Sequence, residues 1–183
     1  GNSRASIAAG DGGTLTLDYR TWGASYASMN ISGGTVNLLA NNASGTNNQL
    51  TLSGNSTVAH GTLALTLNTD PVQNLSAGYI NMAGGTTLGF GEGSVMRFSA
   101  SSNSKLIQGT SPVEIVIVNG ATTGSGNIAV AYDQLFGKYF DAAGSRLEQR
   151  GNQLILVTAA SRSPYYQTIG LSHNAQTGGA LLD

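Results

Sequence analysis

Apolar and small polar residues alternate along nearly the whole chain. "GTLTLDYR" (13–20), "MNISGGTVNLLA" (29–40), "NQLTLSG" (48–54) and "GTLALTLN" (61–68) carry the two-residue period of strands with one buried face. The pattern continues in "GYINMAGGTTLGF" (78–90), "GSVMRFSA" (93–100), "PVEIVIVNG" (112–120) and "NIAVAYDQL" (127–135). It ends with "SRLEQRG" (145–151) and "NQLILVTAA" (152–160), which read as a hairpin about "RGN". Gly-Gly, Asn-Asn, Ser-Gly and Asn-Gly pairs separate the runs and supply turns.

The alternation repeats. Strand starts of the form Gly-Thr-apolar, or its near variant at the fourth, fall at Thr14, Thr35, Thr62 and Thr86. Their spacing lies within the 20–50-residue range of solenoid repeats. A coil of two or three short strands cannot bury its apolar face alone, but stacked coils complete one another's backbone bonding and interior. The expected fold is therefore all-β, a parallel solenoid.

The pattern changes near residue 112. "PVEIVIVNG" is more β-branched than anything before it, and 131–158 holds many of the charges and aromatic rings. A solenoid end exposes unpaired strand edges and needs a unit of different composition to cover it. This divides the chain into coils over 1–111, a cap over 112–160 and a linker over 161–183. The expected cap core is Val116, Val118, Phe136, Tyr139, Phe140, Leu147, Leu154 and Leu156. In the linker, Pro164 breaks the strand and Ser172 is a candidate N-cap for a weak helix containing Gly178 and Gly179.

Composition sharpens this picture. Charged residues make up 9% of the chain, against about 25% in ordinary globular proteins, and there are 26 glycines. Small uncharged side chains suit stacked strands, because like charges one rung apart repel. A net charge of −1 offers no basic patch for nucleic acid. No apolar run approaches the roughly 20 residues of a membrane-spanning helix, so no membrane insertion by this segment is expected. The start, "GNSRASIAAG", lacks the charged and apolar regions of a signal peptide, and the segment reads as an internal piece of a longer chain. The absence of cysteine, with low charge and abundant Ser, Thr, Asn and Gly, points to bacterial cell-surface material.

Together these features resemble the C-terminal passenger region of Gram-negative type V autotransporters. The resemblance rests on the low-charge coils without cysteine, on the hairpin region "FGKYFDAAGSRLEQRGNQLILVTA", and on a tail ending "NAQTGGALLD". In that tail Asn174, Gln176, Leu182 and Asp183 match in order the family's segment leading into the translocator barrel, and Gly178 and Gly179 stand where it usually has alanines. The resemblance implies a right-handed parallel β-helix exported through the outer membrane and a C-terminal autochaperone cap that folds first. It also implies a translocator barrel after residue 183 as a partner, and a host-surface protein or glycan as a further one.

Catalytic chemistry finds little support. Asp70, Glu92 and Glu114 recur at 22-residue intervals, but their contexts (turn, loop, strand) differ, so scattered solvated carboxylates are expected rather than a cation-binding or lyase-like column. Glu92 with Arg97, and Asp133 with Lys138 and Asp141, are sparse versions of the carboxylate and base sets that a polysaccharide lyase or hydrolase needs. His60 and His173 lack partners at metal-ligand spacing. "GDGG" and "GGTTLGFGEG" match no nucleotide-binding fingerprint. Sequons at Asn30, Asn42, Asn55 and Asn74 are no more than the composition gives by chance. No catalytic residue, metal or cofactor is therefore expected. The aromatic concentration at Phe136, Tyr139, Phe140, Tyr165 and Tyr166 reads as the cap's own small core, with sugar stacking as the sharper alternative; Trp22 reads as filling a bend or an exposed coil end, with the same alternative. The expected role is a structural, non-enzymatic passenger segment. The alternatives are a carbohydrate-active enzyme and a glycan- or ice-binding face, which would need a flat Thr-x-Thr ladder.

Overall fold

The structure is a computed structural model that describes residues 4–19, 23–39, 49–67, 78–101 and 112–161. The chain visits three sheets in strict rotation. Sheet I contains β1 (Ile7–Ala9), β4 (Met29–Ser32), β7 (Ser56–Ala59), β10 (Thr87–Phe90) and β13 (Ala121–Thr123). Sheet II contains β2 (Thr14–Asp18), β5 (Thr35–Leu39), β8 (Thr62–Leu67), β11 (Val95–Ala100) and β14 (Ala129–Tyr132). Sheet III runs β3 (Ala24–Tyr26), β6 (Leu50–Leu52), β9 (Ile80–Met82) and β12 (Val113–Asn119), and ends with β16 (Gln153–Thr158) and β15 (Arg146–Arg150). All pairings through β14 are parallel, an all-β arrangement compatible with a solenoid.

The alternation in the sequence becomes alternation between interior and surface. In sheet II, Leu17 lies opposite Leu38, Leu38 opposite Leu65, Leu65 opposite Phe98 and Phe98 opposite Tyr132. This inward column belongs to one apolar cluster running from Ile7 to Ala160. Tyr19 is buried in that interior, and its hydroxyl donates to the carbonyl of Tyr79 at 3.1 Å. The outward neighbours are Thr14, Thr35 and Thr62, in register, followed by Val95 and Ala129. The threonine column therefore spans three strands before aliphatic residues replace it.

The repeat is not constant. Thr14 faces Thr35, then Thr62, Val95 and Ala129, offsets of 21, 27, 33 and 34 residues. Thr86, the fourth repeat start in the sequence, instead precedes β10 in sheet I, where Leu88 pairs with Ser56. Much of the growth sits in the connection from sheet II to sheet III, which lengthens from 19–23 to 40–49, 68–79 and 101–112. A longer connection costs little entropy, roughly 0.6 kcal/mol per doubling, so the ladders keep their register while the period drifts.

The segment 112–160 contains two kinds of structure. β12, β13 and β14 continue the three parallel sheets. After them come helix α1 (Gln134–Tyr139) and the antiparallel hairpin β15–β16. Gly151 (φ 58) opens the two-residue turn between Arg150 and Gln153, the position at which a II′ hairpin turn calls for glycine. The tail helix with Ser172, His173, Asn174, Gln176 and Asp183 lies outside the described residues, as do Trp22, Asp70, Tyr165 and Tyr166.

Candidate functional site: the capped end of the stack

The C-terminal end gathers the residues that the sequence singled out. Val116, Val118, Phe136, Tyr139, Phe140, Leu154 and Leu156 are buried, and Leu147 is half-buried against the main cluster. They do not form one core. Val116 packs with Ile155 and Val157 in a second cluster on the outer face of sheet III. Val118, Leu154 and Leu156 face the interior. β16 is therefore buried on both faces, and its run of four aliphatic residues, "LILV", supplies both.

The interior side is closed by aromatic rings. Phe98 and Tyr132 stack at 5.9 Å between centroids, Tyr132 and Phe136 at 4.5 Å, and Phe136 and Phe140 at 4.8 Å. Helix α1 delivers Phe136 and Tyr139, spaced to share one helical face. Asp133 starts this helix by accepting from the Phe136 N–H at 2.9 Å, the bond that an N-cap carboxylate is suited to make. The Tyr132 hydroxyl is buried with no hydrogen-bond partner among the described residues, and burial pushes its pKa up.

On the outer face, charge replaces rings. Arg150 donates to both oxygens of Glu114 at 3.0 and 2.8 Å, and its Nε donates to Glu148 at 2.8 Å. Arg146 donates to Glu148 at 3.1 Å. Because β16 lies between β12 and β15, the Arg150–Glu114 pair crosses the strand that carries Ile155 and Val157. Hydrogen bonds from Arg150 hold the carboxyls of Glu114 and Glu148 below the usual carboxylate range. The sequence reading missed Arg146, Glu148 and Arg150. The signal was present in "RLEQR", where charges at every second position share one strand face.

Among the described residues the remaining carboxylates do not converge. Glu92 is in an exposed turn, and Arg97 is exposed on the outward face of β11, between Ala64 and Ala131. Asp141 accepts from the Gly144 N–H at 3.3 Å, and Lys138 Nζ lies 5.6 Å from the centre of the Tyr139 ring. His60 is exposed in the turn between β7 and β8, and its N–H donates to the Glu92 carbonyl at 2.9 Å. Among the described residues no group of three or more His, Cys, Asp or Glu is placed to hold a metal ion. At this end β16 pairs along β12, and Phe136 of helix α1 stacks on Tyr132.

No family model matches the chain, and no curated protein or solved structure does so either.

Proposed function

We propose that the chain is a structural segment of a Gram-negative autotransporter passenger: a right-handed parallel β-helix ended by a hairpin cap that nucleates its folding during export. One observation carries this reading. Sequence-local antiparallel pairing sits at the end of ladders whose partners are far apart in the chain. β15 and β16 pair from Arg146 with Val157 down to Arg150 with Gln153, at most 11 residues apart. The parallel ladders join residues from 21 apart (Thr14 with Thr35) to 38 apart (Ile80 with Val118). Local pairing forms before non-local pairing, so the hairpin is the earliest sheet the chain can make. Once formed, β16 offers its edge to β12, and β12 offers the first parallel template.

In this role Val116, Val118, Phe136, Tyr139, Phe140, Leu147, Leu154 and Leu156 form the folding nucleus. The translocator barrel following residue 183 is the partner in export, and the coils display a surface toward a host protein or glycan. The chemistry is non-enzymatic, with no cofactor.

The test is a chain lacking 134–160, placed ahead of an outer-membrane barrel in a Gram-negative cell. Surface exposure is scored by externally added protease, and refolding of the purified segment is followed in parallel. Loss of surface exposure together with a refolding defect is the expected result. Unimpaired display and refolding would refute the nucleating role.

A further inference from the structure

Coils and hairpin meet in one strand, β12, and they meet in two registers. From Val113 to Val116 the strand faces Thr158 to Ile155; beyond Ile117, Val118 faces Leu154 and Asn119 faces Gln153. Ile117 is the surplus residue of a bulge. Before it, Val113 and Ile115 point inward and Val116 outward; after it, Ile117 and Val118 both point inward. The apolar pattern does not fix where the surplus residue sits. Residues 115–118 are all aliphatic, and so are Leu154 to Val157, buried on both faces. A strand whose two faces are equally apolar specifies its register weakly.

Asn119 is the residue that distinguishes the alternatives. If the bulge flattened and the first register ran on, Val118 would face Gln153 and turn outward. Asn119 would face Asn152 and carry its amide into the apolar interior, an unfavourable transfer. In place, the Asn119 amide donates to Asn81 at 3.4 Å and accepts from Gln153 Nε2 at 3.2 Å. The same alignment sets Val118 against Ile80 and Asn119 against Asn81 in the parallel ladder.

We propose that Asn119 is the positioning residue that traps the bulge at Ile117, so that one strand carries the coil register on one edge and the hairpin register on the other. This stands independently of the export role.

The test is the cross-strand nuclear Overhauser contact of Val118 in the full chain. The parent shows Val118 against Leu154. Asn119→Val removes the polar anchor, and the contact moves to Gln153; Asn119→Gln keeps an amide and keeps Leu154. Retention of Leu154 in Asn119→Val, or its loss in Asn119→Gln, overturns the proposal. If Asn119→Val does not fold, deleting Ile117 from it removes the surplus residue, so nothing is left to trap. Folding of that double variant supports the proposal, and its failure to fold overturns it.

Discussion

Every connection from sheet I to sheet II holds one residue in the left-handed region: Gly12 (φ 71), Gly33 (φ 86), His60 (φ 49), Gly93 (φ 73) and Gly124 (φ 70). Histidine at such a site costs about 1–2 kcal/mol that glycine does not. The greater freedom of glycine in the unfolded chain returns about 0.5–1 kcal/mol of that difference. His60→Gly should therefore stabilise the protein by about 0.5–1 kcal/mol, roughly 2–3 °C in Tm for a chain of this size. The imidazole adds a second consequence. A Cβ at Gly93 would lie 2.7 Å from His60 Nδ1 and 3.1 Å from its Cα. Gly93→Ala thus carries left-handed strain and a clash, about 2 kcal/mol in all in the parent. With His60→Gly the ring is gone, and about 1 kcal/mol of that cost should disappear, within the range of coupling between touching residues. Urea unfolding of the four proteins, followed by circular dichroism at neutral pH, closes the cycle. A His60→Gly protein less stable than the parent, or a Gly93→Ala cost that is the same in both backgrounds, would refute the strain argument.

Removing this hydroxyl, which has no partner among the described residues, with Tyr132→Phe keeps the ring stack and should leave stability equal or raise it by up to about 1 kcal/mol; a loss of more than that in urea unfolding would show that the hydroxyl has a bound partner. Glu114 and Glu148 have folded pKa values below their ordinary value of about 4.5. Their contribution is therefore full above that value and lost as pH falls through the folded values. Acid unfolding curves should show this loss below about pH 4.5 and a shallower one in Glu114→Gln; identical curves would refute it. Nitroxide labels at Thr14→Cys and Ala129→Cys, both exposed on sheet II, are four ladder steps apart. A chain with no native cysteine makes the labelling clean, and spin-echo spectroscopy should find a backbone separation of about 19 Å. A distribution centred beyond about 30 Å would contradict the ladder.

The strands were the legible part of the sequence. "TLTLD", "TVNLL" and "TLALTL" alternate cleanly, because each buries one face against an interior that the three sheets share. The period was less legible. Gly-Thr marks a turn followed by a strand start, and both sheet I and sheet II begin strands that way, so the spacing alone puts Thr86 after Thr62, whose partner in sheet II is Val95. Helix α1 is less legible because Gly137 interrupts it, although Asp133 with Phe136 three residues on is a usable start signal. The separation of Val116 from Val118 onto opposite faces follows from the bulge at Ile117, and four consecutive aliphatic residues give alternation nothing to report. The cross-strand ion pairs depend on which strands adjoin β16, a non-local fact that neither "VEIV" nor "RLEQR" contains alone.

The order in which sheets form tests the account most directly. In pulsed hydrogen exchange during refolding, the amides of Leu154 to Thr158 and Arg146 to Arg150 should gain protection before those of Val36 to Leu39 and Leu63 to Leu67. Protection of the parallel ladders first, or of all strands together, would contradict a fold seeded from its capped end.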